Sequence, residues 1–328
     1  MTAPVGVGSA GRATGYHELR SSVAARELGR DVLRMSGTDS TSYLQGQCSQ
    51  DVVGLEPGTG VDALLLSPQG KVDVYLRVTS LGADGFLLDT DPGYGPVVAA
   101  RLERFRLRVA VEIEPLDWRC VAVRGPQADG SVVGRPELTL PVAWPGLAGV
   151  DLLGPAPVGG PDRWVADHVV RCHGEAWEAA RIEAGVPVNG REVVDGTIAA
   201  EVGLVDRTVS FTKGCFTGQE LVARLDARGS KVARRLCGVV VGPADDDPGA
   251  AAGALVGAAV LSGDGGHEVG HLSSAAWSPG FGAIVALATL HRRVSPPAGV
   301  LVAAGGTRIT AEALPLPLVG AAGDRSTG

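Results

Sequence analysis

Only 4% of this 328-residue chain is aromatic, only three of its basic residues are lysines (Lys71, Lys213, Lys231), and its five cysteines lie far apart. Each scarcity excludes something. Cys48, Cys120, Cys172, Cys215 and Cys237 are odd in number and form no CxxC pair. That excludes a disulfide framework and a self-contained zinc or iron–sulfur site, so no permanently bound metal is expected. No run of about 18 uncharged apolar residues occurs, so neither a transmembrane helix nor a membrane partner is expected. A net charge of −7 with no clustered basic run argues against a nucleic-acid partner. The opening MTAPVGVGSAGRATG has no basic start and no long apolar stretch, unlike a secretory signal. The expectation is a soluble, cytoplasmic protein.

What is present is apolar and glycine-rich: 45% hydrophobic residues, 48 glycines and 21 prolines. The length fits two or three packed units. Residues 1–15 and 319–328 are small, polar and aperiodic, and are expected to be disordered. Between them the pattern reads α+β. Asp31–Ser36 is strand-like, and Asp39 or Ser40 caps a short helix through Gln45. Val61–Leu66 and Val72–Thr79 flank the turn Ser67-Pro-Gln-Gly70 as a hairpin. Gly85–Asp89 is a strand, Tyr94–Phe105 a helix, and Val109–Ile113 a further strand. Trp118–Val123 followed by Gly-Pro-Gln weakly repeats Val32–Met35 followed by Gly-Thr-Asp, and Ala143–Leu153 is strand-rich again, as two related halves would require. Glu175–Ala184 is the clearest helix, stopped by Gly185. From about Arg235 the runs Cys237–Val241, Ala254–Leu261, Glu268–Ser274 and Ala283–Leu290 predict a small all-β barrel.

His267-Glu-Val-Gly-His271 spells the HExxH pattern of zinc proteases, which needs a helix to bring both imidazoles to one metal. Here it follows a glycine-rich turn and leads into a strand, where residues four apart stand about 13 Å from each other. It is set aside as a decoy.

The chemistry concentrates in Phe211-Thr-Lys-Gly-Cys-Phe-Thr-Gly-Gln-Glu-Leu-Val222. Thr217 and Glu220 have capping-box spacing, predicting a helix from Gly218 to about Ala227. Cys215 then lies just outside a helix N-terminus with Lys213 nearby, and both effects favour a thiolate. Cys215 is therefore the candidate reactive residue, although a small residue in a tight loop satisfies the same local pattern. Gly214 and Gly218 leave room for close backbone approach.

Lys213-Gly-Cys-Phe-Thr-Gly-Gln-Glu220 resembles the signature of the YgfZ family, folate-binding relatives of the glycine-cleavage T-protein that assist iron–sulfur proteins. Tyr43-Leu-Gln-Gly-Gln47 with Asp51, Gly70-Lys71, the segment Trp177–Pro187 and the last 80 or so residues extend the resemblance over about Asp31 to Leu318. It implies two ferredoxin-like α+β units and a C-terminal β-barrel around a central folate pocket: an α+β region over 16–235 and a barrel over 236–318. It implies a tetrahydrofolate-binding accessory protein for assembly or repair of iron–sulfur proteins, with client or assembly proteins as partners. Trp177 would be the stacking platform, Glu201 would match the pterin amidine edge, and Arg224 or Arg228 would pair with the glutamate tail. Lys213, Gly214, Phe216 and Gln219 complete the implied cofactor-binding set. The alternative is a folate-dependent one-carbon transferase or demethylase. Against it, Asp73 stands one position out of register with the T-protein aspartate, and Asn189 replaces its tyrosine, so aminomethyl transfer itself is not expected.

Overall fold

Many strands are buried along most of their length, and their pairing divides the chain into two sheets and a barrel. The computed structural model describes residues 13–227, 231–242 and 247–318. The expected disorder at residues 1–12 and 319–328 lies outside them. Residues 13–15, also expected to be disordered, are docked instead: the amide of His173 donates to the Thr14 carbonyl at 2.9 Å. Gly15, at φ +89°, lies so close to Cys172 that a Cβ would stand 2.7 Å from its Cα.

After helix α1 (Tyr16–Ser21), strand β1 (Ala24–Leu28) enters one sheet and β2 (Asp31–Ser36) the other. Helix α2 (Ser40–Gln47) follows, then β3 (Gly60–Leu66), β4 (Val72–Ser80), β5 (Phe86–Thr90), α3 (Gly95–Phe105) and β6 (Glu112–Leu116). These complete a five-stranded sheet ordered β3-β4-β5-β2-β6. Helices α2 and α3 cover one of its faces through Leu44, Val98 and Leu102. The strand expected at Val109–Ile113 begins three residues later, behind Arg108, whose backbone is left-handed at φ 58°.

Strands β7 (Trp118–Arg124), β8 (Leu138–Trp144), β9 (Leu147–Pro155) and β10 (Val170–Arg171) join β1 in a second five-stranded sheet, β10-β1-β7-β9-β8. Helix α4 (Gly174–Ala184) packs its alanine face on the barrel, and Gly185 closes it in the left-handed conformation. The short helix α5 (Val205–Thr208) and α6 (Gln219–Asp226) precede the barrel strand β11 (Arg234–Val241).

The barrel is closed in the order β11-β14-β13-β12-β15-β16, with β12 (Ala259–Ser262), β13 (Glu268–Ser278), β14 (Ala283–His291), β15 (Ala298–Ala304) and β16 (Thr307–Leu314). The run expected as strand from Ala254 is corrected: helix α7 (Pro248–Leu255) occupies its start. Its sequence PGAAAGAL has no β-branched residue, Pro248 suits the first turn, and the Asp247 carboxylate accepts from the Ala250 amide at 3.1 Å. His267 lies in the bend before β13 and His271 on that strand, so the HExxH segment is a turn leading into a strand, as expected. No helix of the described residues is long and apolar enough to cross a membrane.

The two sheets face each other. Val32 and Leu87 of the first meet Cys120, Leu140 and Leu153 of the second in one buried cluster. Beside that cluster the facing layers part and enclose a cavity.

Candidate functional site

The cavity holds about 620 Å³ and is walled by both sheets, α4 and the segment 186–191. That volume falls within the range typical of small-molecule sites. Its chemistry follows from strand register. In the second sheet Arg26 pairs with Ala122, Ala122 with Asp151, and Arg124 with Ala24 and Gly149. Paired residues share a face, so Arg26, Arg124 and Asp151 project together toward the cavity. In the first sheet Arg77 pairs with Asp62 and with Asp89 on one face.

These charges are buried and interlocked. Arg77 donates to Asp89 at 2.9 and 3.1 Å and reaches across to Asp151 of the other sheet at 2.9 Å. Arg124 donates to the second Asp151 oxygen at 2.7 Å, and Arg30 also pairs with Asp89. Burial pushes the Asp151 carboxyl up, but Arg124 and then Arg77 pull it further down, to about 2. Burial likewise disfavours the charged guanidinium of Arg77, yet Asp89 and Asp151 raise it well above its ordinary value. Both sheets are thus tied by charge at the cavity wall.

Two indoles lie against this network. Trp144 and Trp177 meet edge-on, with ring centroids 5.1 Å apart. The Arg124 guanidinium carbon sits 5.3 Å from one ring centre and 5.5 Å from the other. Seven arginines (26, 30, 77, 124, 181, 191 and 207) line the cavity against the carboxylates of Glu27, Asp62, Asp91, Asp151 and Glu178. The wall is therefore cationic inside an acidic chain. Arg26 has no carboxylate partner among the described residues and donates to the Cys172 carbonyl at 3.1 Å.

Of the described candidate site residues, Trp177 lines the cavity, as does Asn189, whereas Glu201, Lys213, Gly214, Cys215, Phe216, Gln219 and Arg224 do not. The Glu201 carboxylate accepts from the Ile198 amide at 3.3 Å, closing a turn. Lys213 Nζ donates to the carbonyls of Gln45, Cys48 and Gln50 at 2.7–2.9 Å, so its charge closes the C-terminal end of α2. Burial lowers its ammonium pKa. Phe216 packs on a cluster containing Leu64, Leu66 and Val222. The Gln219 side chain accepts from the Phe216 amide at 3.0 Å and approaches Cys215 Sγ at 3.8 Å. The expected capping box is replaced by this contact: Gly218, left-handed at φ 82°, caps α6, which begins at Gln219. Arg224 lies on α6, and Arg228 lies outside the described residues. Gly214 and Cys215 are exposed.

Asp73 stands opposite a register shift, where Leu65 and Leu66 of β3 pair with Val74 and Val72. The bulge turns its carboxylate to Arg101 of α3, 3.0 Å away, rather than into the cavity. Asn189 is fully used, joining the Tyr75 backbone, Thr90 and Asp91.

Sequence reasoning missed Arg77, Arg124, Trp144 and Asp151. The available signal was a charge inside an apolar strand, as in Cys-Val-Ala-Val-Arg124 and Gly-Val-Asp-Leu-Leu153. Such a charge needs a partner or a ligand.

The motif loop and the hairpin interlock through glycines. A Cβ on Gly70, at φ +76°, would stand 2.5 Å from Leu221 Cβ and 2.9 Å from the Gly218 carbonyl oxygen. Gly70→Ala is expected to lower unfolding stability by about 2–4 kcal/mol, from left-handed strain plus overpacking. Urea unfolding measures this, and a cost below about 0.5 kcal/mol would contradict the contact.

Residues 234–319 match the family described as the glycine cleavage T-protein C-terminal barrel domain. A solved aminomethyltransferase T of the glycine cleavage system from Bartonella henselae superposes with a TM-score of 0.75. That match covers 94% of this chain and 90% of the other at 19% identity, and so shows the fold. The fold is therefore that of the T-protein class: paired α+β sheets with a closed barrel. Within it, the chain is 28% identical over 226 residues to a "tRNA-modifying protein YgfZ" of Vibrio vulnificus, covering 64% of this chain and 68% of that protein. It is 28% identical over 211 residues to an "Iron-sulfur cluster assembly factor IBA57 homolog, mitochondrial" of Mycosarcoma maydis, covering 60% of this chain and about half (51%) of that protein. The chain is a YgfZ-like relative of the glycine-cleavage T-protein.

Proposed function

We propose that the protein binds tetrahydrofolate in the central cavity and serves the assembly or repair of iron–sulfur proteins, with Cys215 as its reactive thiol. One observation carries the ligand reading: a cationic cavity of about 620 Å³ with two indoles in its wall. A flat ring gains stacking from an indole, and an anionic tail gains from unpaired arginine. Trp177 is the platform. Arg26, which has no carboxylate partner among the described residues, takes the tail-holding role that the family resemblance implied for Arg224 or Arg228. Glu201 acts at one remove, by holding its own turn.

The cellular role rests on the relatives, one named for iron–sulfur cluster assembly and another for tRNA modification. Supporting it, Cys215 is exposed, while the other four cysteines are buried. Lys213, Phe216 and Gln219 hold the loop that presents it. The partners are iron–sulfur client or assembly proteins in the cytoplasm. The competing reading, a folate-dependent one-carbon transferase, would use Asp73, but that carboxylate is held by Arg101 and does not line the cavity.

Deleting the protein is expected to depress iron–sulfur enzyme activities in its host, and a Cys215→Ser copy is expected not to restore them. Full restoration by Cys215→Ser would remove the thiol from the account.

A further inference from the structure

The Arg124 side chain is about 1% exposed, and the residue is paired with the small residues Ala24 and Gly149 on the neighbouring strands of the second sheet. Nη1 donates to the Val150 carbonyl at 2.7 Å, and Nη2 to Asp151 at 2.7 Å. Nε has no hydrogen-bond partner among the described residues. A buried donor left unmade is costly, and such groups mark places where a partner is missing. This one sits on a residue lining the cavity, with an indole centre 5.3 Å away on Trp144 and another 5.5 Å away on Trp177. A flat ring stacked on Trp177 would bring its edge to this guanidinium.

We propose that Arg124 is the specificity-determining residue of the cavity, donating through its unpartnered Nε to the carbonyl oxygen of a flat heteroaromatic lactam. The inference rests on the folate reading and deepens it: Arg124 reads the ring end of the ligand, not its tail. Depth supports this order, because the Arg124 side chain is about 1% exposed whereas Arg26, which takes the tail, is half-buried. The ring end enters first, and the charged tail stays toward solvent. Asp151 is a positioning residue here, since it holds the guanidinium through Nη2. A site built to donate discriminates strongly against an analogue that lacks the acceptor, because the donor is again left unpaired.

The test uses the full chain and four probes: tetrahydrofolate, 6-methyltetrahydropterin (ring without tail), its 4-deoxo analogue (no ring carbonyl), and p-aminobenzoylglutamate (tail without pterin). Wild type is expected to bind 6-methyltetrahydropterin at least about tenfold more tightly than the 4-deoxo analogue. Arg124→Lys keeps a cation beside Asp151 and removes Nε. It is expected to abolish that preference while leaving p-aminobenzoylglutamate affinity within about twofold. The 4-deoxo comparison needs no variant, so it stands even if Arg124→Lys folds poorly. Equal affinity of wild type for the two pterins overturns the assignment of Arg124 while leaving tetrahydrofolate binding intact. Failure of wild type to bind tetrahydrofolate or either fragment overturns the folate reading, and this inference with it.

Discussion

Asp151→Asn is expected to lower the unfolding free energy by about 3–5 kcal/mol, the range for breaking one side of a buried ion pair. The reason is geometric. One carboxylate oxygen accepts from Arg124 and the other from Arg77, each within 2.9 Å. An amide of the same shape must turn a donor toward one of the two guanidiniums. Arg77 keeps Asp89, but Arg124 loses the one carboxylate that it pairs with among the described residues. The loss falls where the two sheets are tied, so cooperativity of unfolding is expected to suffer with stability. The same contact sets an acid limit. The Asp151 pKa is depressed in the folded state, to about 2 against an ordinary 3.8. Its stabilising share is therefore complete above pH 4 and is lost as pH falls toward 2. That share is about 2 kcal/mol. Urea unfolding of wild type and variant between pH 2 and 6 checks both statements. The gap between the two proteins is expected to narrow only below pH 4. A gap that is constant through this window would contradict the ion-pair account.

Trp177→Ala is expected to cost a similar amount, about 3–5 kcal/mol, because a nearly buried indole leaves a void. Trp177 is 7% exposed and belongs to the cluster that joins α4 to Leu19, Val285 and Leu287. Its removal also strips Trp144 and Arg124 of a neighbour. Lost ligand binding in this variant therefore mixes folding with recognition. Trp177→Phe separates the two: it keeps a ring in the core and is expected to cost less than about 2 kcal/mol. If Trp177 is the platform, Trp177→Phe still loses about threefold in folate affinity, part of a ring–ring contact, because the smaller phenyl ring covers less of the ligand. Near-equal folate affinity in Trp177→Phe and wild type would leave Trp177 a core residue alone.

Much of the architecture was legible because local signals agreed. The helix over Gly174–Ala184 has alanines at helical spacing and a left-handed glycine at its end. The hairpin β3–β4 consists of two apolar runs flanking their own turn residues. Segments that failed were those where small residues leave the period undecided, as in the alanine- and glycine-rich run of α7. The site was legible only at Trp177. The signature Lys213–Glu220 is local and specific, so it drew the binding roles to itself. The structure shows Lys213 closing a helix end and Gln219 bracing a loop. The cavity wall is assembled from residues far apart in the chain, such as Arg77, Arg124 and Asp151 on three strands of two sheets. No local period announces such a cluster. What does announce it is an uncompensated charge within each apolar strand, and this becomes interpretable only when pairing register brings the charges together.

The most direct test is titration of tetrahydrofolate into the intact protein, followed by tryptophan fluorescence at pH 7, for wild type and Trp177→Phe side by side. The account predicts saturable binding at one site per chain, quenching that depends mainly on Trp177, and weaker binding in the variant. Absence of saturable binding, or saturation with the same affinity and the same quenching in Trp177→Phe, would contradict it.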